Sequence, residues 1–158
     1  MNSISQQLKE LGFRIKRFST GTSPRIFRDS IDYSSYKLEP GTDLPLKFSH
    51  QSKIADLLPF DKQLPCYLLH TNEKTHQIVR DNLHFYKKDT GPSPRNCPGI
   101  EDKISLFPDE KRHQIFLEPE SRELDTTYLQ GFATSLPVEV QVQILKTLPG
   151  FENAQVKR

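Results

Sequence analysis

The seven glycines of this 158-residue chain stand at positions 12, 21, 41, 91, 99, 131 and 150, and no two are separated by a single residue. A dinucleotide-binding Rossmann unit needs Gly-x-Gly where its first strand turns into a helix, because only glycine lets the backbone close on a pyrophosphate there. A Walker loop needs its own glycine-bracketed run ending in Gly-Lys-Ser/Thr. Neither string occurs. These residues build no such site by themselves, so any dinucleotide role here is a supporting one.

Within that bound the apolar pattern reads as one α+β domain. Residues 2–11 carry apolar positions at helical spacing and stop at Gly12. Residues 13–18 alternate over most of their length, which predicts a strand with one apolar face. From 28 to 63 the pattern is weak, and so long a loop in a compact domain is functional or wraps a partner surface. Residues 64–70 form an apolar run suited to a buried strand, with Pro65 at its start or on an edge. Asn72 caps a predicted helix reaching about Leu83, with Ile78, Val79 and Leu83 on one face. Residues 113–118 and 128–133 read as further short strands. Pro137 and Glu139 mark a helix start, and Val138, Val142, Ile144, Leu145 and Leu148 give that helix a wide apolar arc before Pro149-Gly150 ends it. The expected fold is a small mixed sheet with two to three helices and long loops, without internal repeats.

Charge and cysteine usage narrow the function classes. Lys plus Arg number 22 against 20 Asp plus Glu, a net charge of +2, which is no nucleic-acid footprint by itself. A mean hydropathy of −0.64 with 34% apolar residues sits at the polar end of the globular range. Cys66 and Cys97 have neither metal-ligand spacing nor a disulfide framework, which suits a reducing compartment. His70, His76 and His84 form no metal constellation. No apolar run reaches membrane-span length and no signal-peptide core opens the chain, so the expectation is a soluble intracellular protein without membrane contact.

The most reactive-looking string is Pro94-Arg95-Asn96-Cys97-Pro98-Gly99-Ile100-Glu101-Asp102-Lys103. Prolines on both sides of Cys97 hold the backbone extended there, and a nearby guanidinium favours thiolate over thiol. The same string also fits a free, half-buried cysteine in an irregular loop. Arg17 and Arg25 flank a turn containing Thr20, Gly21 and Thr22, which suits a phosphate of RNA or flavin and equally a solvated basic edge. His113 heads a strand as a satisfied histidine or a general base. Glu118 and Glu120, two apart around Pro119, read as an acid–base pair or as a structural turn. Cys66 lies in an apolar run and reads as core.

Taken in order, six motifs carry a resemblance. They are Arg17-Phe18-Ser19-Thr20-Gly21-Thr22-Ser23-Pro24-Arg25, Gln63-Leu64-Pro65-Cys66-Tyr67, His70-Thr71-Asn72-Glu73-Lys74-Thr75-His76, the Cys97 loop, His113-Gln114-Ile115-Phe116-Leu117-Glu118-Pro119-Glu120, and Thr134-Ser135-Leu136-Pro137. In register over nearly the whole chain, they resemble the middle of the GidA (MnmG) family, flavoenzymes that modify the wobble uridine of certain tRNAs. The resemblance covers about a quarter of a full-length member. It implies that residues 1–158 are the central, nicotinamide- and substrate-side part of an FAD/NAD(P)-binding Rossmann-type flavoenzyme. The N-terminal FAD Rossmann part and the C-terminal helical domain would lie outside this sequence.

The resemblance further implies FAD and NAD(H) as cofactors of the full-length protein, neither expected on this segment alone. It implies tRNA as substrate, an MnmE-type GTPase as partner, a homodimer, and transfer of a carboxymethylaminomethyl group, or in mitochondria a taurinomethyl group, to uridine C5. The location would be cytoplasmic in a bacterium and mitochondrial in a eukaryote. Cys97 matches the family cysteine proposed to add to the uracil ring. Ser93, Pro94, Arg95, Asn96, Cys97, Pro98, Gly99, Ile100, Glu101, Asp102, Lys103, Ile104, Ser105, Leu106 and Phe107 match the nicotinamide-binding stretch. Arg95 and Lys103 would meet phosphates, and Glu101 and Asp102 ribose hydroxyls. Where the family reads Pro-Arg-Tyr-Cys-Pro-Ser, Asn96 replaces the aromatic and Gly99 the serine. Ser121 replaces a glycine after Glu-Pro-Glu, a turn expected to want positive φ. A catalytically inactive fragment, or a remnant that docks RNA or a partner protein, is the alternative reading.

Overall fold

The computed structural model describes residues 3–15, 21–86 and 98–157. Their elements follow in the order α1 (Ile4–Glu10), β1 (Arg25–Phe27), β2 (Lys37–Glu39), β3 (Cys66–His70), α2 (Glu73–Asp81), α3 (Ile100–Leu106), β4 (Gln114–Pro119), β5 (Thr126–Gln130) and α4 (Val138–Leu145). The five strands form one sheet, ordered β1-β5-β4-β3-β2. The fold is α+β, as the pattern predicts.

The sheet is antiparallel at every junction, where a mixed sheet is the expectation from sequence. The reason lies in where the chain leaves and rejoins it. The α2–α3 excursion departs after His70 and returns beside it, since Thr71 N donates to His113 O and His113 N donates to Thr71 Oγ1. β4 must therefore run back along β3. A short bend then sends β5 back along β4.

Alternation gives the sheet two unlike faces. Ile26, Leu129, Leu117, Ile115 and Leu69 lie in one buried cluster with Val79 of α2, Ile100 and Ile104 of α3 and Ile144 of α4. Each such side chain contributes roughly 1.5–3 kcal/mol on burial. The opposite face carries Cys66, Phe116, Glu118, Tyr128 and Arg25, all only half-buried.

Local chemistry explains the helices. Ser3 caps α1 by accepting from Gln6 N, and Gly12 follows at φ +87. Asn72 caps α2 by accepting from Thr75 N, while its Nδ2 donates to Thr147 O at 2.6 Å and so ties α2 to the end of α4. In α4, Val140, Ile144 and Leu145 are buried and Val138 is 64% exposed, so the apolar arc is narrower than the sequence suggests.

Two expectations give way. Phe13 to Ile15 form no strand, and Phe13 is exposed; the sheet position beside β5 belongs to β1. The rest of that alternating stretch lies outside the described residues. The long segment 28–63 is not patternless, since it supplies edge strand β2 and three short 3-10 turns. It also leaves Leu46, Phe48, Ile54, Leu58 and Phe60 exposed.

Candidate functional site

Three stretches far apart in sequence meet at the start of α3. Thr22 and Thr134 exchange a pair of backbone hydrogen bonds of 3.1 Å each. Ile100 N donates to Ala133 O at 2.8 Å. Glu101, 0% exposed, accepts through Oε1 from Thr134 Oγ1 at 2.5 Å and from Ser135 N at 2.9 Å. The turn that bears Arg25, the residues directly after Cys97 and the Thr134-Ser135 bend are thus one assembly.

Glycine is what lets them approach so closely. A Cβ on Gly21 would sit 3.1 Å from the Thr134 backbone. One on Gly99 would sit 2.5 Å from Glu101 Oε2 and 3.0 Å from Ala133 O. That Glu101 oxygen is buried and has no hydrogen-bond partner.

Arg25 is held rather than free. Its Nε meets Glu120 Oε1 at 3.1 Å, its Nη1 donates to Thr22 Oγ1 and to Ser23 O, and its guanidinium lies 4.7 Å from the Tyr128 ring centroid. Thr126 Oγ1 donates to the other Glu120 oxygen at 2.6 Å. Glu120 is therefore a structural clamp on Arg25. Glu118, its supposed companion, sits on the open face, where burial raises its carboxyl above the ordinary range. Thr22 is exposed beside this clamp; Arg17 and Thr20 lie outside the described residues.

The stretch matched to nicotinamide binding divides in two. Ser93, Pro94, Arg95, Asn96 and Cys97 lie outside the described residues. After Pro98 and Gly99 the chain enters α3, and Glu101, Asp102 and Lys103 all have internal partners. Asp102 accepts from Gly99 N at 3.1 Å and from the Tyr86 hydroxyl at 2.8 Å. Burial first, then Asp102, pushes the Tyr86 phenol up to about 12. Lys103 Nζ donates to Gly131 O at 2.7 Å, and burial lowers its pKa. Ile100 and Ile104 are core, whereas Pro98, Ser105, Leu106 and Phe107 face outward.

Other candidates resolve individually. His113 packs 5.2 Å from the His76 ring, its Nε2 is buried without a partner, and burial followed by the Lys103 charge lowers its pKa. His76 Nε2 pairs with Thr71 Oγ1 at 2.7 Å. Cys66 is a free, half-buried thiol on the open face, raised by burial and then by the Glu118 carboxylate. Ser121 does not take the positive φ expected there; its hydroxyl accepts from Glu123 N and Leu124 N and so closes the bend. No cluster of metal-ligating side chains occurs among the described residues. No helix among them is long and apolar enough to cross a membrane.

Sequence reasoning missed Tyr128 beneath Arg25, Tyr86 on Asp102, and the burial of Glu101. The start of α3 was findable, since Ile100 and Ile104 stand four apart with two acids in the first turn, but the burial of Glu101 was not. Among the described residues the sheet is antiparallel and no Gly-x-Gly turn joins a strand to a helix N-terminus, the local geometry of a dinucleotide-binding Rossmann unit. The described residues form an α+β unit built on one five-stranded antiparallel sheet.

Comparison with known proteins makes the assignment specific. The family model described as "Glucose inhibited division protein A" matches residues 1–158. The chain is 52% identical over 159 residues to the tRNA uridine 5-carboxymethylaminomethyl modification enzyme MnmG of Mycoplasmoides gallisepticum, spanning 98% of this chain and 26% of the relative. It is 48% identical over 157 residues to the MnmG of Ureaplasma parvum, spanning 97% of this chain and 25% of that protein. The structure of Aquifex aeolicus GidA in its form I crystal superposes with a TM-score of 0.80 at 42% identity, covering 98% of this chain and 27% of that one. The chain belongs to the GidA family. It spans about a quarter of the length of the curated relatives it matches.

Proposed function

We propose that this chain is the substrate- and nicotinamide-side segment of an FAD-dependent enzyme that installs a carboxymethylaminomethyl group at C5 of the tRNA wobble uridine. The observation that carries this reading is 52% identity, over 98% of the chain, to a relative named for that modification. In the reading, the Cys97 thiolate adds to uracil C6, and the C5=C6 electron pair moves onto C5. That carbon then attacks the methylene carbon of a methylene-tetrahydrofolate iminium, the C=N pair passing to nitrogen; glycine then displaces tetrahydrofolate from that carbon. Loss of the C5 proton expels the thiolate and restores the ring. The flavin is supplied by polypeptide outside this segment. An MnmE-type GTPase and a second copy complete the assembly, in the cytoplasm of a bacterium with glycine as the amine, or in the mitochondrial matrix of a eukaryote with taurine in its place.

A second reading, a segment that docks RNA or protein without chemistry, draws on one observation. Asp102, Lys103 and Arg25, the polar groups first in line for a nucleotide, already have internal partners. Grafting separates the two. This chain replaces the matched quarter of the Mycoplasmoides gallisepticum relative, and tRNA nucleosides are measured from cells lacking their own enzyme. Restored modification supports the first reading; a folded, flavin-loaded graft that modifies no uridine overturns it.

A further inference from the structure

We infer that a cavity of about 450 Å³, walled by Leu64, Pro65, Tyr33 and Tyr67 with Arg28 and Asp29 beside them, binds a flat 2-amino-4-oxopyrimidine ring. Guanine and the pterins carry that ring; its bearing on uridine modification rests on the proposed function. The cavity lies on the helix side of the sheet, since Tyr67 pairs with Leu117 across β3 and β4 and Leu117 belongs to the buried cluster. No residue of α1, α2, α3 or α4 lines it, so this end of the face is left uncovered by them. Its size falls within the roughly 300–1,000 Å³ of small-ligand sites, which share its make-up of apolar walls and a few polar groups.

The aromatic walls are set in advance. The Tyr33 and Tyr67 rings stand 4.7 Å apart at 49°, splayed rather than stacked. The Tyr33 hydroxyl pairs with Thr127 Oγ1 at 3.1 Å, and its ring meets Tyr36 edge-on at 6.1 Å, while the Tyr36 hydroxyl donates to Pro149 O. Arg28 Nη2 donates to Ser121 O at 2.9 Å and to Leu124 O at 2.7 Å, which fixes the guanidinium and leaves a buried Nε without a partner. Such a leftover buried donor is uncommon, and an acceptor entering the cavity would satisfy it. No ion pair holds the Asp29 carboxylate among the described residues. Burial raises the Tyr33 phenol, and among the smaller effects Arg28 lowers it and Asp29 raises it, so both charges act on this wall. A carboxylate accepts two hydrogen bonds side by side, and the guanidinium supplies one donor. The complement is a ring edge with a carbonyl, then a ring N–H, then an amino group. Guanine and pterins present that edge, whereas uracil has a single donor there and adenine and cytosine set an amino group beside a ring acceptor.

The test is an NMR titration of the 158-residue chain, read at the Tyr33 and Tyr67 ring protons. The ligands are matched pairs: guanosine monophosphate against inosine monophosphate, which lacks the amino group, and pterin-6-carboxylate against lumazine-6-carboxylate, which carries oxygen in its place. The amino-bearing member binds about fivefold or more tightly than its match. Tighter binding of guanosine monophosphate than of the pterin assigns the cavity to guanine, and the reverse assigns it to a pterin. Asp29→Asn, at an exposed turn position, keeps the fold and removes the preference. Tyr67→Leu weakens the better ligand about tenfold. Equal affinity within both pairs, no saturable binding of either amino-bearing ligand below about 5 mM, or a preference that survives Asp29→Asn overturns the inference. No uridine is modified in these measurements, so a failure of the proposed chemistry registers separately, in the graft.

Discussion

Replacing Gly99 with alanine sets two effects of opposite sign against each other. Gly99 sits at φ −74, ψ 176, which any residue adopts, so alanine would by backbone entropy alone stabilise the fold by about 0.4–1 kcal/mol. Against that, the new Cβ lies 2.5 Å from Glu101 Oε2 and 3.0 Å from Ala133 O. Overpacking of this kind costs about 1–3 kcal/mol. Moving the carboxylate also weakens its bonds to Thr134 and Ser135, worth about 1.5–3 kcal/mol each for a charged acceptor. Sterics win, and the net loss is about 1–3 kcal/mol. Serine should do better than alanine by about 1 kcal/mol, because its hydroxyl donates to the unpaired Oε2 and caps α3, which has no side-chain cap. Urea unfolding at constant m-value reads both differences. An alanine variant as stable as the parent, or a serine variant less stable than alanine, refutes the reasoning.

Arg25→Ala removes the bonds to Glu120, Thr22 and Ser23 and takes the ion pair from a carboxylate whose side chain is only 20% exposed. A loss of about 2–3 kcal/mol is expected in urea unfolding, little altered by added salt; a loss below about 0.5 kcal/mol would place Arg25 among ordinary surface charges. Stability also falls with pH below the ordinary histidine value of 6.5. Burial lowers the pKa of His70, His76 and His113, so the unfolded chain takes up protons first and acid pulls the equilibrium towards it. The stabilisation is complete above 6.5 and is lost downward through that value towards the lowered folded ones. The urea midpoint should drop between about pH 7.5 and pH 5.5, and Glu118, whose carboxyl burial raises, contributes the opposite slope above its ordinary value, so a Glu118→Gln background isolates the histidines. A flat or rising midpoint contradicts the burial of these imidazoles.

Much of the architecture was legible because it is local. Ser3 and Asn72 announce helix starts, Gly12 and Gly150 announce ends at positive φ, and the runs around 66–70 and 114–119 are apolar enough to be strands in any context. What failed was non-local. Phe13 to Ile15 alternate properly but have no neighbour to pair with, while the three-residue strands β1 and β2 exist only because β5 and β3 offer them edges. The antiparallel order depends on where the α2–α3 excursion rejoins the sheet, which no periodicity records. For the site, the motif order gave the family, yet it assigned Glu101 to a ribose when its side chain lies wholly inside. A carboxylate in a first helical turn reads the same in sequence whether it faces solvent or a bend 33 residues away.

The sulfur of Cys97 is where the account is most exposed. In the grafted enzyme, Cys97→Ser should abolish formation of 5-carboxymethylaminomethyluridine in tRNA while leaving flavin content and tRNA binding at parent levels, and Cys66→Ser should leave the product unchanged. A Cys97→Ser graft that modifies wobble uridine at the parent rate would contradict it.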